Sequence, residues 1–188
     1  DVYDPVFTGH AGEKGLIGLA WPKEYGGGGR SIIDLLLCTE EMALRGAPMV
    51  GYWIAERLVA PAIIDCGTPE QRAQFLPGIR KGELAFCMGL AEPHAGSDMA
   101  AVETRAVERD GHFVVDGQKI FITGAHWAQW CFLLVRTGTP ESRHRGLSVL
   151  LVDMKSPGIT TYPMASLYGS YPFCQVFLDS VRVPSAFL

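Results

Sequence analysis

The stretch Phe86-Cys-Met-Gly-Leu-Ala-Glu-Pro-His-Ala-Gly-Ser-Asp-Met99 decides how this chain reads. An apolar run with strand character leads straight into a turn built from Glu92, Pro93, Gly96, Ser97 and Asp98. In such a turn Gly is expected at positive φ, while Ser and Asp satisfy nearby backbone groups. A second stretch, Phe113-Val-Val-Asp-Gly-Gln-Lys-Ile-Phe-Ile-Thr123, reads as two alternating runs joined at Asp116-Gly117. Asp-Gly between alternating apolar residues predicts a two-residue hairpin turn. The two stretches look like the walls of a site. One offers backbone N–H groups from small residues, the other an aromatic ring and a hydroxyl. Strand alternation puts Phe121 and Thr123 on one face, and Ile120 and Ile122 on the other.

Working outward, the residues after Glu83 keep a period of two. Leu84–Ala91, Val102–Val107, Trp130–Arg136, Ser148–Val152, Ile159–Tyr162 and Val176–Val183 are short β-rich runs separated by Gly, Pro or Asp. Upstream the period is helical. Ser31-Ile-Ile-Asp34 resembles a capping box opening an apolar helix towards Arg45, which Gly46 can end. A helix over 49–65 would put Ile54, Leu58 and Ile63 near one face. Thr68-Pro-Glu-Gln71 is a capping box with Pro at the first helical position. Gly26–Gly29 resembles a phosphate loop only superficially, with no strand before it and no Lys-Ser/Thr after it, so it reads as a connector. Helices followed by a block of strands predict an α+β chain. It divides into a helical domain over 1–83 and an antiparallel β-barrel or sandwich domain over 84–188.

The chain has 188 residues, a net charge of −4 and 19% charged residues, without the basic stripe expected of a nucleic-acid binder. Arg143-His-Arg145 reads as a solvated loop. Five cysteines (38, 66, 87, 131 and 174) form no C-x-x-C pair, and several sit in apolar runs, which suits a reducing compartment without disulfides. The histidines lack ligand spacing, so no metal is expected, and no stretch is apolar and long enough to span a bilayer. Asp1-Val-Tyr-Asp-Pro lacks a signal-peptide pattern and a Met, so the native protein is expected to begin upstream.

Glu-Pro-x-Ala-Gly-Ser-Asp (92–98), then Asp-Gly-Gln-Lys-Ile-Phe-Ile-Thr (116–123), then Gln175-Val-Phe-Leu-Asp-Ser-Val-Arg-Val-Pro184 resembles the acyl-CoA dehydrogenase family in order and spacing. Gly18-Leu-Ala-Trp-Pro-Lys-Glu-Tyr-Gly-Gly27 and Gly67-Thr-Pro-Glu-Gln71 resemble its helical region. The resemblance implies FAD as cofactor, held by Met88, Leu90, Ala91, Gly96, Ser97, Phe121, Ile122 and Thr123. Gly96 and Ser97 would lie near the pyrophosphate, with Ser97 also near the acyl-CoA thioester. It implies dehydrogenation of acyl-CoA to the trans-2-enoyl thioester, with electrons passed to an electron-transfer flavoprotein or a similar acceptor. It further implies a homo- or hetero-oligomer, a homotetramer in its commonest form, in the bacterial cytoplasm or the mitochondrial matrix.

In that family the α-proton is taken by a Glu of a C-terminal helical bundle. No catalytic residue is therefore expected in this chain, which would be incomplete as an enzyme. Two positions depart from the pattern. Ala91 replaces the usual hydroxyl residue before Glu-Pro, and Phe121 replaces the usual Trp. They keep open two alternatives, a non-catalytic partner or scaffold subunit and a flavin oxidase or monooxygenase on the same fold. Glu92 reads as a residue that orders the turn rather than as a catalytic carboxylate, and Glu40 and Glu41 as solvated.

Overall fold

A computed structural model describes residues 3–167 and 169–188. Asp1 and Val2 of the opening stretch, and Tyr168, lie outside the described residues. The chain divides into two compact units, Asp1–Phe86 and Cys87–Leu188.

The first unit is helical. Helix α1 (Pro5–Glu13) is capped by Asp4, whose carboxylate accepts the backbone N–H groups of Val6 and Phe7. Helix α2 (Ile32–Leu44) opens with the expected capping box. The Ser31 hydroxyl accepts from the Asp34 N–H at 3.1 Å, and the Asp34 carboxylate accepts from the Ser31 N–H at 3.0 Å. Gly46 follows its end at a φ of 65°. Helices α3 (Val50–Ile54) and α4 (Ala60–Cys66) are joined by a π-helical turn, Ala55–Val59. Helix α5 (Pro69–Arg80) begins at the predicted Thr68/Gln71 box. Each cap is worth about 1 kcal/mol.

The π turn corrects the expected face. Pro61 has no N–H to give, and just before it Ala60 donates to the carbonyl of Ala55, five residues back. The slip in phase leaves Ile54 and Ile63 buried but turns Leu58 outward. Exposed apolar surface is concentrated instead on α2, where Ile32, Ile33, Leu36, Leu37 and Leu44 all face solvent.

The second unit is a curled, mostly antiparallel half-barrel. Its strands are β1 (Phe86–Gly89), β2 (Arg105–Arg109), β3 (His112–Thr123), β4 (Trp130–Arg136), β5 (Leu147–Asp153), β6 (Ile159–Met164) and β7 (Phe173–Pro184). They run in the order β1-β4-β2-β3-β7-β6, with β5 paired to β4. Val115, Leu133, Val135, Leu150, Val176 and Val181 alternate inward and build one core with Cys87, Cys131 and Cys174. All five cysteines are free thiols. Among the described residues no helix is long and apolar enough to cross a membrane.

The hairpin lies at the other Asp-Gly pair. Strands β2 and β3 are joined by Asp110-Gly111 at φ values of 50° and 75°, as a type I′ turn requires. Asp116-Gly117 stays inside β3, at a register shift against β7. Gly117 is needed there because a Cβ would lie 2.7 Å from the Thr104 hydroxyl. The Asp116 carboxylate meanwhile accepts the Ser180 N–H at 2.7 Å. The pair therefore marks a bulge and a close approach rather than a chain reversal.

Candidate functional site

Two segments of the β unit come together at this site. The Ile120 N–H donates to the carbonyl of Ala91 at 2.9 Å, joining the end of β3 to the residues that follow β1. Beneath that contact lies a buried ion pair. Lys119, 0% exposed, donates from Nζ to Glu92 Oε1 at 2.9 Å and to the Leu90 carbonyl at 3.1 Å. The Glu92 carboxylate also accepts the N–H groups of Glu103 at 2.8 Å and Thr104 at 2.9 Å. Leu90, Ala91 and Glu92 are thus fixed against β3, while Glu92 anchors the far side of the turn that contains Gly96 and Ser97.

Glu92 orders the turn, as its sequence position suggested. Lys119 carried no such signal, because a lysine in an alternating run reads as a solvated position; only its parity with the buried Phe113 and Val115 could have raised the question. Burial would raise the Glu92 carboxyl, but the hydrogen bonds from Thr104, Lys119 and the backbone of Glu103 outweigh it and hold it below the usual carboxylate range. Burial pulls the Lys119 ammonium below its ordinary value, and Glu92 offsets part of that loss. A depressed carboxyl stabilises the fold above its unfolded pKa and loses that contribution as pH falls through its folded value. Acid unfolding of the β unit is therefore expected to retreat towards neutral pH in Glu92→Gln, read from circular dichroism along a pH titration.

Phe121 is 61% exposed and its backbone is at a φ of 56°, in the left-handed region. That conformation costs an aromatic residue about 1–2 kcal/mol. It coincides with the second register shift between β3 and β7, which falls between Lys119 and Ile122. The shift breaks the alternation. Phe121 is exposed, Thr123 half-buried and Ile122 buried as expected, but Ile120 is only half-buried and Lys119 takes an inward place. Ile122 belongs to the core, so only its backbone is open to a ligand. The Phe173 ring stands edge-on to Phe121, with centroids 6.4 Å apart.

Strain of this kind collects at functional positions. Phe121→Gly removes the strain and also the ring contact, itself worth about 0.5–1.5 kcal/mol. Stability is therefore expected to change by less than about 1 kcal/mol, where an unstrained strand aromatic would lose several. Urea unfolding measures the difference.

Met88, Leu90 and Ala91 are half-buried along one wall, and Gly96 and Ser97 are exposed on the turn. Gly96 is not at positive φ, which corrects the expected turn geometry. Among the described residues the N–H groups of Gly96 and Ser97 and the hydroxyls of Ser97 and Thr123 have no hydrogen-bond partner. A pair of consecutive free N–H groups suits an anion. An exposed aromatic ring with a free hydroxyl two residues further along the strand suits a flat heterocycle. This donor set is chemically suited to a flavin carrying a pyrophosphate.

Residues 3–83 match the N-terminal domain of acyl-CoA dehydrogenases, and residues 87–181 match their middle domain. The chain belongs to the acyl-CoA dehydrogenase family. Proteins of this family bind FAD. The chain is 41% identical over 183 residues to the acyl-CoA dehydrogenase IpdE1 of Mycolicibacterium smegmatis, covering 92% of this chain and 47% of that protein. It superimposes on the ChsE4-ChsE5 complex from Mycobacterium tuberculosis with a TM-score of 0.90 at 40% identity, covering 96% of this chain and 46% of the other. It also superimposes on the Tcur3481-Tcur3483 steroid acyl-CoA dehydrogenase with a TM-score of 0.92 at 35% identity, covering 97% and 47%. The chain thus spans about half the length of the relatives it matches.

Proposed function

We propose that this chain is the N-terminal and middle portion of an FAD-dependent dehydrogenase that converts an acyl-CoA thioester to its trans-2-enoyl form. The observation that carries the reading is the strained, exposed Phe121, two residues before the free Thr123 hydroxyl on a strand that Lys119 and Ile120 tie to residues 90–92. Phe121 would lie against the ring system, Thr123 would hydrogen-bond its reactive edge, and Gly96 and Ser97 would hold the pyrophosphate through their N–H groups. Met88, Leu90, Ala91 and the Ile122 backbone would complete the wall. When bound, FAD supplies a hydride acceptor for the Cβ–H of the substrate. Ser97 would also contact the thioester. The α-proton needs a base within hydrogen-bond reach, and this reading assigns that base to a part of the protein beyond these residues.

One of these structures is named as a steroid acyl-CoA dehydrogenase and both are named as pairs of proteins, which supports a steroid-derived acyl-CoA as substrate and a hetero-oligomeric assembly. An electron-transfer flavoprotein is proposed as acceptor, in the bacterial cytoplasm. Ala91 favours a second reading, a non-catalytic subunit of such an assembly, because it removes a side-chain hydrogen bond worth about 0.5–1.5 kcal/mol.

The absorption spectrum of the purified full-length protein separates the two. A flavin spectrum bleached by an acyl-CoA under anaerobic conditions is expected. In Thr123→Val the flavin should remain bound while its reduction in a single turnover slows by about tenfold, the equivalent of one lost hydrogen bond. A colourless protein would favour the scaffold subunit, and an unchanged reduction rate would remove Thr123 from the chemistry.

A further inference from the structure

Arg136, the last residue of β4, is 6% exposed and has no carboxylate partner among the described residues. A buried cation without a counter-ion is costly unless dipoles replace the lost water. Here four backbone carbonyls do so. Nε donates to Val102 at 2.8 Å and Nη2 to Ala100 at 2.7 Å. Nη1 donates to Arg143 at 3.1 Å and to Thr139 at 3.3 Å. The first two carbonyls lie just past the Gly96–Ser97 turn, and the last two belong to the loop after β4. The Arg136 N–H also donates to the Thr104 carbonyl at 2.7 Å. The turn is therefore held at both ends, by Glu92 where it begins and by Arg136 where it returns to the sheet.

On the loop side Arg143 makes a second link to the turn. Arg143 has φ 48° and ψ −123°, a conformation that side chains disfavour. It makes two contacts that bear on the turn. Its carbonyl accepts from Arg136, and its guanidinium pairs with Asp98, the neighbour of Ser97, at 3.5 Å. Because four of its five side-chain N–H groups go to backbone carbonyls and the residue is buried, Arg136 acts on geometry rather than on a ligand directly. A lysine keeps the charge but presents its donors from a single nitrogen and cannot bridge the two segments.

We infer that Arg136 is a positioning residue that latches the Gly96–Ser97 turn to the 139–146 loop and so sets the affinity of the turn for the cofactor pyrophosphate. The inference rests on the flavin reading given above. It predicts an effect that depends on which part of the cofactor is present. Riboflavin carries the ring system but no pyrophosphate, so its binding draws on Phe121 and Thr123 and not on the turn.

The test compares binding of FAD and of riboflavin to the full-length apoprotein by flavin fluorescence, for the native protein and for Arg136→Lys. FAD affinity is expected to fall by about tenfold, the scale of one or two charge-assisted hydrogen bonds, while riboflavin affinity stays within about twofold. Gly138→Ala provides a second variant on an exposed loop. Its new Cβ would lie 2.7 Å from Gly146 Cα and push the loop away from Arg136, leaving Arg136 itself in place. It should show the same selective loss at about threefold, and it decides the matter if Arg136→Lys does not fold. Equal losses for the two ligands, or no loss for either, would overturn the latch. A native protein that binds neither ligand would overturn the flavin reading itself.

Discussion

Replacing Lys119 by Met is expected to cost the β unit about 3–5 kcal/mol, the usual consequence of breaking a buried ion pair from one side. Folded domains have only about 5–15 kcal/mol in hand, so the variant should be on the edge of unfolding. Methionine fills much of the lysine's volume, and the loss is electrostatic in origin. Glu92 stays buried with the N–H groups of Glu103 and Thr104 and with the His94 imidazole 3.6 Å away, and the Leu90 carbonyl loses its Lys119 donor. Adding Glu92→Gln removes the stranded charge and should return a substantial part of the lost stability. A double-mutant cycle from urea unfolding gives the coupling, expected to exceed about 1 kcal/mol for two groups in direct contact. Additive single losses would mean that water or another group solvates Glu92 once Lys119 is gone. The same substitution should loosen Phe121 and Thr123, since Lys119 is what holds β3 against the 90–92 segment.

Local chemistry that works within a few residues was legible in the sequence. Ser31 with Asp34, and Thr68 with Gln71, close the predicted capping boxes because each box needs only its own four residues. The strand block was legible for the same reason, as β4 from Trp130 to Arg136 illustrates. What escaped depends on partners distant in sequence. Two Asp-Gly pairs have equal local claims to the hairpin, and the choice between them is made by Thr104 and Ser180, which occupy the space around Asp116-Gly117. Leu58 faces outward because a π turn shifts the phase, and no periodicity count registers an inserted residue. The inward turn of Lys119 depends on Glu92, 27 positions away, and on the bulge that strains Phe121. The buried role of Arg136 depends on carbonyls, which have no side-chain signature at all. The candidate site was read at the level of which segments meet. The charged framework beneath them was not, because a buried ion pair looks like two ordinary surface residues until the fold joins them.

Gly96→Val is expected to abolish most FAD binding, lowering affinity by more than about tenfold, while the stability of the β unit changes by less than about 0.5 kcal/mol. The two halves of that expectation have separate grounds. A Cβ built on Gly96 has no neighbour within 4 Å, and the residue is not at positive φ, so nothing within the described chain requires glycine there. That is unlike Gly117, where a side chain would collide with Thr104. The remaining reason for a glycine on an exposed turn beside Ser97 is close approach by something outside the chain. A β-branched side chain would stand over the free N–H groups of Gly96 and Ser97 and keep a pyrophosphate at a distance. Gly96→Ala, with a single methyl, should give an intermediate loss. Flavin content of the full-length variants and their urea midpoints provide the two measurements. If the β unit unfolds while flavin content survives, Gly96 serves the turn alone. If neither moves, the pyrophosphate binds elsewhere and the turn's free N–H groups face only water.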